Sequence, residues 1–148
     1  MSSLSAFLHP VTTREEREIV ISKRFVKRDE NGNPVLDSEG KTIPEPFKIR
    51  SITQDEADAL LKKSTRTIRT RNQTTETTVD NQDFNRRLVV AATVEPNFSA
   101  TELCEAYGVM DPNLVPGRML LSGEFNRLLG AILEISGLEE SLEEEAKN

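Results

Sequence analysis

The chain has 148 residues, 36% apolar and 30% charged, with no tryptophan, one cysteine and a net charge of −6. A single cysteine excludes an intrachain disulfide framework and points to a reducing compartment, and no apolar run is long enough to span a bilayer. Five glutamates near the C-terminus (Glu139, Glu140, Glu143, Glu144, Glu145) carry most of the net charge, so the body is nearly neutral and lacks the broad basic footprint of a nucleic-acid-binding protein.

In chain order, MSSLSAFLHP has no basic region ahead of its short apolar stretch and does not read as a signal peptide. Leu4, Phe7 and Leu8 share one face of a short helix ended by Pro10, expected to act as a small apolar anchor. Residues 18–26, EIVISKRFV, alternate, with Ile19, Ile21 and Phe25 on one side and Ser22 and Arg24 on the other, which predicts a strand. Turn chemistry at Asn31-Gly32 and around Gly40 leads to a second strand-like run at Phe47, Ile49 and Ile52, giving an elaborated antiparallel hairpin. Asp29, Asn31 and Asn33 resemble the start of a calcium loop. Pro34 stands where that loop needs glycine and no spaced glutamate follows, so calcium is rejected.

Thr53 and Glu56 form a capping box for a helix whose inner face is Ala57, Leu60 and Leu61 and whose last turn carries Lys62 and Lys63. Residues 64–80 are Thr-rich with few large apolar side chains and read as a linker or mobile loop. Asp80 or Asn81 caps the next helix, expected to run to Pro96. Ser99 and Glu102 form a further capping box, with Phe98 and Leu103 as its hydrophobic staple and Gly108 as the stop. Ser122 is read as the cap of the strongest helix, where Phe125, Leu128, Leu129, Ile132 and Leu133 make one wide apolar stripe before Gly137. Leu138 and Leu142 extend a marginal last helix under the Glu run. No internal repeat is evident. The fold class is α+β: an N-terminal antiparallel hairpin or small sheet with a helix (1–63), the Thr/Arg-rich segment (64–80), a mainly helical domain (81–138) and an acidic tail (139–148).

Catalytic chemistry finds no constellation. His9 is the only histidine, no His/Cys set has zinc-ligand spacing, and no Gly-rich phosphate loop occurs, so neither enzyme nor cofactor is expected. Cys104 reads as a small buried hydrophobe. Lys62, Lys63, Arg66, Arg69 and Arg71 form a basic cluster without aromatic stacking partners. It is read as a solvated linker, as a phosphate- or acid-binding arm, or as a contact for the acidic tail of a neighbouring subunit. The stripe from Phe125 to Leu133 is read either as core or as a partner-binding face.

LSAFL, ISKRF, PFKIRSIT, VVAATVEPNF, AYGV, MLLSGEFNRLL and EEEAKN, in that order from Leu4 to Asn148, resemble the XkdN-like tail assembly chaperones of long-tailed phages and phage-like elements. Residues 33–45 depart from that pattern as an apparent insertion. The resemblance implies a non-enzymatic factor in the host cytoplasm that holds the tape-measure protein while tube subunits assemble around it, and that is absent from the finished virion. Phe125, Leu129, Ile132 and Leu133 become candidate contacts for that client or for self-association, with the tail tube protein a further partner. Chaperones of this kind are often made in two lengths by ribosomal frameshifting, and Ala146-Lys147-Asn148 can be encoded as GCA AAA AAC, a slippery run of A. The competing readings are a tail or head-tail joining protein that stays in the virion and a small nucleic-acid-binding regulator.

Overall fold

Alternating burial in Phe47-Lys48-Ile49-Arg50 builds the strand at the centre of the molecule. In this computed structural model, which describes residues 3–11 and 14–138, that strand, β2 (Phe47–Arg50), lies between β1 (Glu16–Ile19) and β5 (Thr93–Glu95) in an antiparallel sheet ordered β1-β2-β5. Ile19 faces Phe47 and Arg17 faces Ile49 in the register. The α+β class holds. The strand expected over residues 18–26 begins and ends earlier: past Ile19 the chain leaves the sheet, turns at Lys23 and Arg24, and buries Ile21 and Ser22 while Val20 stays exposed.

Between the first two strands, residues 26–45 form an irregular ribbon bridged at Val26–Pro44, Arg28–Pro34 and Leu36–Thr42. A short repeat, missed in the sequence, organises it. Asp29 Oδ1 accepts the N–H groups of Asn31 and Asn33, and Asp37 Oδ1 accepts those of Glu39 and Lys41. Each aspartate thus closes its own turn, and Gly32 and Gly40 supply the positive φ, +82° and +81°, that each turn needs.

The capping box of α2 (Gln54–Lys63) forms as expected: Thr53 Oγ1 accepts the Glu56 N–H at 3.2 Å and Glu56 Oε1 accepts the Thr53 N–H at 3.0 Å. The segment expected as a linker is instead a hairpin, β3 (Thr65–Arg69) and β4 (Thr75–Val79), paired from Thr65–Val79 to Arg69–Thr75. Threonine explains the difference, because its β-branched side chain favours extended backbone even where nothing is buried. At the hairpin's base the Asp80 N–H donates to Ser64 O at 2.8 Å. Asp80 then caps α3 (Asn81–Ala92) through the Asp83 N–H.

The helix expected to reach Pro96 stops at Ala92, because Thr93-Val94-Glu95 joins the sheet as β5. The cap of α4 (Thr101–Ala106) is Ala100 rather than Ser99, so the Ser99–Glu102 box does not form; the Ser99 N–H is taken by Asn97 Oδ1. Gly108 ends that helix with φ +66° and Phe98 is fully buried. A 3-10 turn (Pro112–Leu114) and the short α5 (Val115–Met119), both unforeseen in a stretch holding two prolines and a glycine, insert Val115, Pro116 and Met119 into the core. In α6 (Ser122–Ile135) the cap is Leu121, not Ser122, and Glu124 accepts the Leu121 N–H.

One core joins these elements: Ile21, Phe47, Ile49 and Ile52 from before the hairpin meet Leu88, Val89, Ala92, Phe98, Leu128, Ile132 and Ile135 from after it. The helix α1 (Leu4–Leu8) forms as expected but buries none of its residues, and Phe7 is 81% exposed. Among the described residues, no helix is long and apolar enough to cross a membrane.

Candidate functional site

The first two turns of α6 separate two open clefts. On one side Val20, Ile21, Ser22 and Lys23 face Leu121, Gly123, Glu124 and Arg127 across a space of about 480 Å³. On the other, Gln82, Asn85 and Arg86 of α3 face Leu120, Ser122, Phe125 and Asn126 across about 460 Å³. This two-sided wedge is formed by SGEFNR, a stretch whose polar residues at i and i+3 do different work from the apolar ones between them.

The first cleft is held by charge. Arg24 Nε donates to Glu124 Oε2 at 3.2 Å, its Nη2 donates to Met119 O at 3.1 Å, and Nη2 also bonds Glu124 Oε1. Arg127 Nη1 donates to Ile21 O. The Arg24 hydrogen bond, then the Ser22 hydroxyl and the Leu121 N–H, hold the Glu124 carboxyl at about 2, well below its ordinary value. The Arg24 guanidinium also lies 5.0 Å from the centroid of the Phe25 ring, which tilts against Phe47 at 5.9 Å. These contacts tie the segment after β1 to the start of α6, a hundred residues away, and leave Val20 and Leu121 exposed on the rim.

Along α6 the stripe read from the sequence divides. Leu128 and Ile132 are fully buried, with Glu124, Ala131 and Ile135 on the same inner face. Phe125, Leu129 and Leu133, spaced i, i+4, i+8, are half-buried and pack on the core from one flank. Of the four candidate contact residues, therefore, three have surface and Ile132 has none. Nothing polar is buried here without a partner; the one such atom among the described residues is Thr93 Oγ1, on β5.

The basic cluster is spread rather than gathered. Lys62 and Lys63 are exposed in the last turn of α2, and Arg66 pairs with Asp80 at 3.3 Å. Strand alternation puts Arg69 on the opposite face of the hairpin from Arg66, and Arg71 follows in the turn. Cys104 is buried, its Sγ 3.6 Å from Phe98 O, and His9 is exposed. Ala146, Lys147 and Asn148 lie outside the described residues.

Sequence reasoning missed Arg24, Glu124 and Arg127. Arg24 lies within ISKRF and the other two within LLSGEFNRLL, so both stretches carrying the resemblance were in view. Their pairing had no signal in a single chain.

The sequence matches, over residues 4–147, the family described as phage XkdN-like tail assembly chaperone protein. It is 41% identical over 140 residues to the uncharacterized protein YqbN of Bacillus subtilis (strain 168), covering 90% of this chain and 85% of that one. Against the phage-like element PBSX protein XkdN of the same organism it is 36% identical over 138 residues, with the same coverage. The crystal structure of the protein YqbN is similar in fold, with a TM-score of 0.65 at 36% identity, covering 93% of this chain and 98% of that chain.

Proposed function

Since the chain belongs to the XkdN-like phage tail assembly chaperone family, we propose that it acts in the host cytoplasm by binding the tape-measure protein until tail tube subunits polymerise around it, and that it is missing from the mature virion. The observation that supports a helical client is the half-buried flank Phe125, Leu129 and Leu133, which continues out of the cleft between α3 and α6. An amphipathic client helix lays its own apolar face, with anchors at i, i+3, i+4 and i+7, against an apolar surface of its binder, and the flank of α6 offers one. A long client offers many such sites in series, so several weakly binding copies hold it by avidity, and polymerising tube protein displaces them one by one. Ile132, wholly buried, drops out of the contact set.

A programmed frameshift at Ala146-Lys147-Asn148 would supply a second, longer product, and the codons at these positions test it: an interrupted A run, or no open frame in the shifted register, removes the idea. The client is tested by co-expressing this chain with the tape-measure protein of the same phage element and separating the soluble fraction by size. Co-elution with a client that is insoluble alone is the expected result. A client that stays insoluble defeats the proposal, as does recovery of this chain in purified particles by mass spectrometry, which instead identifies a virion component.

A further inference from the structure

Phe7 and Leu8 of α1 leave most of their apolar surface uncovered, at 81% and 62% exposure, and Val11 follows them fully exposed. Of the six phenylalanines, Phe7 alone is mostly exposed. Leu4, Phe7 and Leu8 stand at i, i+3 and i+4, the spacing by which an amphipathic helix fills a groove. Helices without a supporting surface are marginal below about 12–15 residues. With five residues and none of them buried, α1 is shaped for a surface that the described part of its own chain does not supply.

Such a surface exists elsewhere on the molecule. Phe25, Phe47, Pro96 and Met119 wall a pocket of about 240 Å³, almost wholly apolar, with Glu45 and Glu95 exposed on its rim. It is sized for a single aromatic side chain, being smaller than the pockets of about 300–1,000 Å³ that take drug-sized ligands. Its walls are already fixed. Arg24 donates to Met119 O at 3.1 Å and lies over the Phe25 ring, that ring tilts against Phe47, and Phe25 O accepts the Glu45 N–H at 2.8 Å, so filling the pocket orders little. Charge agrees with the pairing: Glu45 and Glu95 have no ion-pair partner among the described residues, while residues 3–11 carry no acidic side chain and include the hydrogen-bond donor His9.

The arm and the pocket lie at different places. The chain enters β1 from the arm at Glu16, opposite Arg50, and reaches Ile19, opposite Phe47, three residues and about 10 Å further on. A protrusion and a complementary pocket at separate sites on one molecule pair head to tail between copies. We propose that α1 is a self-association arm: Phe7 of one copy enters the Phe25–Phe47–Pro96–Met119 pocket of a second copy, Leu8 covers the pocket's edge, and repetition links copies into an open series or a ring. Neither Phe125 nor Leu129 takes part, so the contact stands apart from the client. Where the client is bound as proposed above, the same linkage sets successive α6 flanks along it and adds avidity.

The test is sedimentation velocity of the full chain alone, over a concentration series reaching the millimolar range, so that the client has no part in the readout. The unaltered chain should grow beyond a dimer as concentration rises. Phe7→Ser removes the protrusion at an exposed position, and Glu45→Trp sets an indole in the pocket. Each should weaken association at least about tenfold, as loss of a central aromatic anchor does, with an unchanged melting curve. Mixed in equal amounts, the two variants should form a 1:1 pair that grows no further, because one protrusion and one open pocket remain between them. Methyl NMR of the methionines places the contact: the Met119 signal should move with concentration under the ring current of Phe7, while Met110, 99% exposed, stays still, and neither should move in Phe7→Ser. A chain that stays monomeric, association unchanged by Phe7→Ser, a mixture of variants that fails to pair, or a Met119 methyl that stays still while the mass grows each overturns the contact.

Discussion

Replacing Ile132 by Ala and Leu129 by Ser separates the two roles of α6. Ile132 is fully buried. Ile132→Ala removes three carbons, about 2.4 kcal/mol of transfer free energy at ~0.8 kcal/mol per buried CH₂, and incomplete collapse around the gap raises the loss to about 3–4 kcal/mol. For a chain of this size each kcal/mol moves the melting temperature by about 2–4 °C, so the midpoint should fall by roughly 6–16 °C. Leu129 is only half-buried, and Leu129→Ser should lose about 1–1.5 kcal/mol and shift the midpoint by roughly 2–6 °C. Urea unfolding followed by circular dichroism measures both, and co-elution with the tape-measure protein at low temperature measures client binding. The expected pattern is a crippled but binding-competent Ile132→Ala chain and a stable Leu129→Ser chain that no longer holds the client. If Leu129→Ser destabilises as much as Ile132→Ala, or stays folded and still binds, the division of α6 into a buried face and a contact flank is wrong.

Glu56 accepts from the Thr53 N–H, from Arg14 at 2.9 Å and from Arg50 at 3.0 Å; Glu56→Gln should reduce stability by about 1–2 kcal/mol in urea titrations with an unchanged m-value. Burial alone would raise the Glu56 carboxyl, but those three partners hold it at about 2, as Glu124 is held at about 2. Both folded-state values lie below the unfolded ones, so their stabilisation is present above pH 4.5 and is lost as pH falls from there toward 2. The urea midpoint should drop across that window, and less steeply in Glu56→Gln. Thr93 Oγ1 is buried without a partner, so Thr93→Val should raise stability by about 1 kcal/mol; a loss would mean the hydroxyl is satisfied in solution. Gly108 has φ +66°, and a Cβ at that position would meet only Arg118 Nη1, at 3.9 Å, so Gly108→Ala should lose about 1–2 kcal/mol through backbone conformation alone, read as a lower melting temperature.

Local grammar was legible wherever neighbours in sequence are neighbours in space. The Thr53–Glu56 box, Gly108 and Gly137 as helix stops, and the Phe47–Ile49–Ile52 run all depend on residues within one or two turns of each other, and all form. Errors came where two local signals competed. Thr93-Val94-Glu95 satisfies a helix extension until β2 offers it a ladder, and Ser99 is a good cap until Asn97 takes its N–H. The hairpin at residues 65–79 was hidden because strand detection relied on large apolar side chains and this one has almost none. For the candidate site, the apolar stripe of α6 was visible, but which side of it is inside depended on where α3 and the sheet lie. The Arg24–Glu124 clamp depended on a contact across a hundred residues that no periodicity encodes.

The position of β2 between an early and a late strand also sets the order in which the molecule can be made. Phe47 and Ile49 emerge long before β5 and α6, yet those later elements cover them. At 5–20 residues per second, the interval between synthesis of Arg50 and of Ile135 is about 4–17 s. For that time the nascent chain displays its own central strand with one edge unpaired and its apolar face open. The Glu, Arg and Glu of β1 on the other edge are then the groups that discourage neighbouring nascent chains from adding to the sheet. A member of a tail assembly chaperone family thus passes through a stage in which its own apolar surface is exposed, and its synthesis rate becomes a variable in how much of it folds.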